Sequence, residues 1–377
     1  MSNGHASAAT FYGTFTAIVL IIVGFVFFDL MLVQVDRNER EQEAERYFNA
    51  GERAAEAGDY NAAVDSFRTA FSINREDTRA QLAFAQALYN AGRLSEAEAT
   101  ARDILQKDPT NADASLIMAR ILVKQPDSKE EGILFYHRAI YGRWAVDTSG
   151  AKATPEERQL QTRLELTDVL ARNGNDEELL AELLPLRDEA GDDVPLLHRI
   201  APLYIEAGAP ARAAELYDEI ITKDPKDGAA LAGLGDAEFA QANYRQAERQ
   251  FRNALKLEPK NESIQHRLDV TNQILELDPM GRELSSLQRY NRSVMLLQMA
   301  YDSLMACAGA EPSFATRTFM NQAEEALARK VAPNERNDAV DENLNLSEQI
   351  WDTRIQVCGE PPASEEPISL VLSRAAQ

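Results

Sequence analysis

The chain has 377 residues, too many for one compact core, which implies two domains or a repeat array. Hydrophobic residues make up 45%, enough for a packed interior, which excludes wholesale disorder. A formal charge of −22 excludes a binder of phosphate backbones, which needs clustered Lys and Arg, so no nucleic-acid partner is expected.

Residues 1–10 form a short tail before an apolar run. Phe11 to Phe28 (FYGTFTAIVLIIVGFVFF) carries no charge, and apolar character resumes after Asp29 through Leu30–Val35. Residues 11–35 are read as a transmembrane helix, since about 18 to 25 residues rise about 27 to 37 Å. A cleaved signal peptide would need a basic amino-terminal region, a shorter apolar core and a small-residue cleavage site. Here no Lys or Arg precedes the run, LMLVQVDRNER offers no A-x-A, and the only cysteines stand at 307 and 358. A retained single-pass anchor is expected. Arg37, Arg40 and Arg46 flank its carboxyl side and no Lys or Arg flanks the other. The positive-inside rule therefore favours a repeat domain on the inner, cytoplasmic side of the membrane over one on the outer side. Asp29 is placed near one interface. Gly13 and Ala17 form a small-xxx-small pair that could seat another helix, a second copy included.

From Ala44 the chain runs in 34-residue blocks. The first, Ala44 to Asp77, carries Tyr47, Gly51, Ala63, Phe67 and Ala70; the second, Thr78 to Asn111, carries Phe84, Ala85, Leu88, Ala97 and Pro109. Gly58 and Gly92 mark the turns inside these blocks, where a backbone at positive φ costs glycine little. The third starts at Ala112 with Met118, Ala119 and Leu122; QPDSKEEG stretches its turn before Ala139 restores the register. Residues 44–140 thus hold three repeats. Residues 141–157, YGRWAVDTSGAKATPEE, break the period and read as a loop insertion. Phe135, Tyr136, Tyr141 and Trp144 cluster at its start. Either these rings pack against an extended helix, which is favoured, or Trp144 projects as an anchor for a partner.

Residues 158–261 hold three more repeats. Leu160 to Asp193 is degenerate, around Leu166, Leu170, Gly174, Leu179 and Leu183. Val194 to Asp227 follows, with Leu197, Ile200, Ala201, Tyr204, Ala213, Tyr217 and Pro225. The clearest block is 228–261, with Leu234, Gly235, Ala247, Phe251, Ala254 and Pro259 at fixed spacing. Gly235 and Ala247 are small where two helices cross closely, and Pro259 ends the second helix. Residues 262–377 read as a helical cap, with helices at Glu262–Leu277, Arg282–Cys307, Phe314–Lys330 and Asp338–Cys358, then a short segment at Ile368–Leu372.

Motifs that carry chemistry are missing. The four histidines, at 5, 137, 198 and 266, form no H-E-x-x-H, and there is no G-x-S-x-G, phosphate-binding loop or C-x-x-C. Gly233-Leu-Gly235 lies inside a repeat helix, where packing explains it. No catalytic, metal or cofactor residue is assigned. Cys307 and Cys358 are read as two buried free thiols; pairing in an oxidising compartment is the alternative.

The 34-residue blocks, with Leu234-Gly235, Ala247-x3-Phe251, Ala254 and Pro259, resemble tetratricopeptide repeats over about residues 44 to 261. The resemblance implies an all-α solenoid of paired antiparallel helices, whose first helices line a groove that receives peptides or helices. Carried over by register, that groove would expose Phe48 and Glu52, then Leu82, Gln86 and Tyr89, then Leu116 and Arg120. His198 and Ile205 follow in the fifth repeat and Asp236 and Phe239 in the sixth. Phe48 and Glu52 stand at the first positions of the Lys and Asn clamp with which chaperone-binding members grip a carboxylate, so no such clamp is implied. A mixed apolar and acidic groove suits an amphipathic or basic helix. One span followed by repeats also looks like bacterial lipopolysaccharide-assembly regulators of this family, but their paired C-x-x-C motifs are missing here. The expected function is a membrane-tethered scaffold that binds a protein or peptide partner. The alternative is an enzyme with its active site in 282–377 and repeats that recruit substrate.

Overall fold

The computed structural model describes residues 5–144, 153–281, 283–309 and 313–375, with the side chains of 5–26, 29, 30, 32 and 375 outside the description. Seventeen α-helices and three short 3-10 turns account for almost all of it, and the described residues contain no strand. The protein is an all-α, tetratricopeptide-like solenoid fold. It divides into two compact units, residues 1–169 and 170–377.

In the first unit, helix α1 runs unbroken from His5 to Glu56 and pairs with α2 (Tyr60–Ile73). Then come α3 (Thr78–Asn90) with α4 (Leu94–Lys107), α5 (Ala112–Leu122) with α6 (Lys129–Ile140), and α7 (Pro155–Asn173), within which the unit ends. Helices α2, α3 and α5 start where the sequence supplies a side-chain cap. Asp77 accepts from the amides of Arg79 and Ala80 ahead of α3, and Asn111 from that of Ala114 ahead of α5. These acceptors satisfy amide donors that a helix start leaves orphaned. The turns inside the pairs are closed by glycines in the left-handed region, Gly58 at φ 77° and Gly92 at φ 76°. Just beyond them, Asp59 and Arg93 donate their amides to the carbonyls of Ala54 and Leu88, both at 2.9 Å. That geometry ends a helix sharply and returns the chain antiparallel.

Packing follows the small and large alternation of the sequence. Phe48, Phe67, Leu88, Ile104, Met118 and Ile121 share one core. A Cβ on Gly51 would stand 2.7 Å from the Phe67 ring, so this close crossing requires glycine. Helix α5 is apolar on nearly every face and buried on nearly every face, as a central helix requires.

The expected span at 11–35 falls mostly on residues whose side chains lie outside the described ones. Among the described residues no helix is long and apolar enough to cross a membrane. Where α1 becomes describable it stands alone: Phe27, Phe28, Met31, Val33 and Val35 are all exposed, and burial begins only at Ala44.

The second unit holds α8 (Asp176–Ala190), the pair α9 (Val194–Glu206) and α10 (Pro210–Lys223), the pair α11 (Gly228–Ala240) and α12 (Tyr244–Leu257), and α13 (Glu262–Leu277). Asp193, Asp227 and Asn261 cap α9, α11 and α13. The predicted tight crossing is present: Ala247 is fully buried, and a Cβ on Gly235 would meet Phe251 at 2.6 Å. The turn between α11 and α12 has Ala242 at φ 58°, the one described non-glycine residue at positive φ.

Four further helices follow: α14 (Ser286–Cys307), α15 (Phe314–Ala328), α16 (Arg336–Cys358) and α17 (Glu366–Ala375). Helix α14 opens with a reciprocal capping box between Ser285 and Gln288. Leu297 and Leu304 of α14, Ile350 and Trp351 of α16 and Val371 of α17 share a core with Tyr244 of the last repeat and Val270 and Ile274 of α13. The tail thus covers the apolar end that a repeat stack would otherwise expose. The free-thiol expectation is corrected here. Cys307 and Cys358 form a disulfide with Cα atoms 5.9 Å apart, because the shared core sets the carboxyl ends of α14 and α16 side by side.

Candidate protein-docking groove

The first unit contains a cavity of about 390 Å³ on the inner face of α3, α5 and the start of α7. Its size lies in the range of about 300–1,000 Å³ usual for ligand pockets. Leu82 and Gln86 come from α3, Leu116, Ile117 and Arg120 from α5, and Glu157, Arg158, Gln161 and Thr162 from α7, with Trp144 closing one side. Helical periodicity produces this convergence, since residues 82 and 86, 116 and 120, and 157 and 161 are each four apart and share a face.

Trp144 reaches its place through backbone bonds laid down before it. The Arg143 amide donates to the carbonyl of Thr110 at 2.7 Å, and the Ala112 amide donates to the carbonyl of Arg143 at 3.1 Å. A Cβ on Gly142 would stand 2.9 Å from the Thr110 oxygen, so only glycine lets the two backbones approach. Trp144 is 7% exposed, while Tyr141 remains 70% exposed. The Arg158 guanidinium lies 4.5 Å from the Trp144 ring centroid and pairs with Asp113 of α5. Such a cation–π contact contributes about 0.5–2 kcal/mol, more as it is desolvated. Burial lowers the Arg158 pKa, yet guanidinium stays charged in proteins.

Arg120 is held by Glu165 of α7 through two hydrogen bonds of 2.9 and 2.6 Å. Burial opposes its charge, but these bonds and the Glu165 carboxylate outweigh it and raise its pKa. Both arginines at the cavity are therefore neutralised by carboxylates of this chain. Leu82, Leu116, Ile117 and the Trp144 ring supply apolar walls, and Gln86, Gln161 and Thr162 supply hydrogen-bonding groups. The arrangement can take an apolar side chain with neighbouring backbone amides. It offers no uncommitted arginine for a carboxylate.

The cavity brings together Leu82, Gln86, Leu116, Arg120 and Trp144 of the residues expected to form a groove. Tyr89 lies further along α3, half-buried under the Lys124 ammonium at 4.4 Å. One expectation is corrected. Phe48 does not face a groove: it is buried, 5.4 Å from the Phe67 ring centroid and covered by Arg79 at 4.1 Å. Of the two readings of Trp144, the structure has the favoured, packed one: it is a buried wall rather than a projecting anchor, because the chain before it is tied to the turn at 108–112. Glu52 is exposed.

In the second unit the expected positions engage their neighbours. His198 Nε2 lies 2.6 Å from Asp227 Oδ2. Burial opposes ionisation of Asp227, but hydrogen bonds from the Ala230 amide and His198 prevail and lower its pKa. Asp236 accepts from Arg267 of α13 at 2.8 Å, and the same guanidinium lies 4.7 Å from the Phe239 ring centroid. Ile205 is half-buried. In the tail, two pairs of buried polar side chains satisfy one another: Asn343 donates to Ser293 at 3.0 Å and Arg354 to Ser303 at 3.1 Å. Among the described residues no group of His, Cys, Asp and Glu is placed to hold a metal ion.

Sequence reasoning missed Asp113, Glu157, Arg158, Gln161 and Glu165; Glu157 and Arg158 were lost because α7 begins five residues before the repeat expected at Leu160, and the others because their roles depend on contacts between α5 and α7. The signal was present in Thr154-Pro155-Glu156-Glu157. Glu157 accepts from the Thr154 amide at 2.7 Å and donates its own amide to Thr154 Oγ1 at 3.2 Å. This is a capping box with proline at the first helical position.

A family model for the tetratricopeptide repeat matches residues 54–121 and 204–268. Several solved structures are similar at low identity. YrrB, described as a TPR protein with an unusual peptide-binding site, is 18% identical over 54% of this chain and 98% of its own, with a TM-score of 0.41. PilW, described as a widely conserved type IV pilus biogenesis factor, is 16% identical over 60% of this chain and 99% of its own, with a TM-score of 0.42. The TPR2AB-domain:pHSP90 complex of yeast Sti1 is 14% identical over 89% of this chain and 99% of that one, with a TM-score of 0.26. No curated protein sequence matches significantly. The helix pairs, their 34-residue capping interval and the matched family model show that this chain carries tetratricopeptide repeats in both of its units.

Proposed function

We propose that this protein is a membrane-tethered scaffold whose first unit docks a protein or peptide partner in the groove formed by α3, α5 and α7. The observation that carries the reading is the cavity bounded by Leu82, Leu116 and Trp144, with its charges already paired and its amides at hand. A segment that inserts one bulky apolar side chain, in extended or helical form, matches that chemistry. The tether is the apolar run at 11–35, whose one charged residue is Asp29. It is supported by the exposure of Phe27, Phe28, Met31 and Val35, which no described residue covers. Tetratricopeptide proteins described as peptide-binding or as holding an HSP90 segment are consistent with the same use of the fold.

A photo-crosslinking amino acid at Gln86, in the cavity, tests this against one at Asp103, exposed on the outer helix α4. Irradiation of intact membranes is expected to give a discrete adduct from position 86 and none from 103. Leu82→Asp should abolish that adduct while leaving helical content unchanged. Equal adducts from both positions, or an adduct indifferent to Leu82→Asp, would refute the groove.

A further inference from the structure

We infer that the repeats and tail reside in an oxidising, extracytoplasmic compartment, and that the docked partner is an exported or envelope-facing protein. The partner clause rests on the docking reading above; the compartment rests on the tail alone. Cys307 and Cys358 are 51 residues apart in sequence and joined as a cystine. No free cysteine remains in the chain. The bond joins two helices that already share Leu297, Leu304, Ile350 and Trp351 in one core, so the thiols meet whenever the tail folds.

Whether they stay joined is decided by the surroundings. Cys307 is exposed and Cys358 half-exposed, within reach of small thiols and thioredoxin-like reductants. In a reducing cytosol such a pair is kept as dithiol, whereas exported proteins retain their cystines. Formation is balanced by disulfide exchange. The two thiols lose two electrons and two protons as the sulfur–sulfur bond forms, and a protein disulfide of an oxidase is reduced to two thiols. Arg37, Arg40 and Arg46 oppose this orientation, since they bias the flank after the span inward. Three basic residues shift an insertion preference, while the cystine requires the compartment itself, so the cystine decides.

The test uses the full chain in its own membrane. Cells are quenched in acid, and thiols are tagged with a polyethylene-glycol maleimide with and without prior reduction. No tag without reductant and two tags after it are expected, and Cys358→Ser should give one tag in both lanes. Protease added to sealed vesicles should remove the repeats when the outer face is exposed, and spare them in inverted vesicles. Two tags without reductant, or cleavage only in inverted vesicles, would overturn the inference. Neither readout involves the groove, so loss of the Gln86 adduct with a protected cystine would count against docking alone.

Discussion

The close crossing of α11 and α12 in the second unit offers a sharp test, through Gly235→Ala. The added methyl carbon would stand 2.6 Å from Phe251 Cε1 and 2.7 Å from Cδ1. Relaxed carbon contacts lie at about 3.5–4.0 Å, so the ring must shift by about an ångström. Phe251 is 1% exposed and Ala247 is fully buried, which leaves the ring no route to solvent. Overpacking of this kind costs about 1–3 kcal/mol, and the enclosed ring puts this site in the upper half. Alanine is favoured over glycine inside a helix by about 0.8–1.0 kcal/mol, which offsets part of the cost. The net expectation is a loss of about 1–2 kcal/mol, read from urea unfolding of the purified chain by circular dichroism. Phe251→Leu shortens the offending side chain, so the double variant should recover at least about 1 kcal/mol relative to additivity. A Gly235→Ala protein more stable than the parent, or strict additivity with Phe251→Leu, would refute the crossing.

Ala242→Gly should act in the opposite direction, raising stability by about 0.5–1 kcal/mol in the same unfolding assay, because an L residue at φ 58° pays a penalty glycine avoids. Asp227→Ala removes both the cap of α11 and the partner of His198, and should cost about 1 kcal/mol near neutral pH. Because the folded state holds the Asp227 carboxyl below its ordinary value of about 3.9, its contribution is full above that value. The difference from the parent should therefore shrink as pH falls below about 4, seen by repeating the melts across pH 3–6. Trp144→Ala should lower the stability of the first unit by about 3–5 kcal/mol whether or not a partner is present, measured by hydrogen exchange of α5 amides.

Much of the repeat geometry was legible because it is local. Asp77 and Asn111 in one unit, and Asp193, Asp227 and Asn261 in the other, recur at the repeat interval and each starts a helix with its own side chain. The positive φ of Gly58 and Gly92 is likewise a property of a few adjacent residues. What failed to show was set by distant contacts. The burial of Trp144 depends on Gly142 fitting against Thr110, and that of Phe48 on a cation from Arg79 meeting its outer face. The pairing of Cys307 with Cys358 depends on the relative axial register of α14 and α16, which periodicity within either helix does not specify. Glu157 and Arg158 were obscured for a different reason: a search by period starts the fourth repeat at Leu160, while the capping chemistry starts it at Pro155.

The unbroken course of α1 from His5 to Glu56 would give the chain a gearing between the proposed anchor and the groove. A flexible linker would let the groove face any direction; a continuous helix converts residue count into angle and height. From Val35 to Ala44 the helix climbs only about 13 Å, so under the proposed tether a partner of the first unit would be met close to the lipid surface. Each inserted residue would turn the repeats by about 100° and raise them by about 1.5 Å, while seven would raise them by about 10 Å and nearly restore their facing. Insertions of two and of seven residues in the stretch 36–43 would therefore separate the direction in which the groove looks from the height at which it stands.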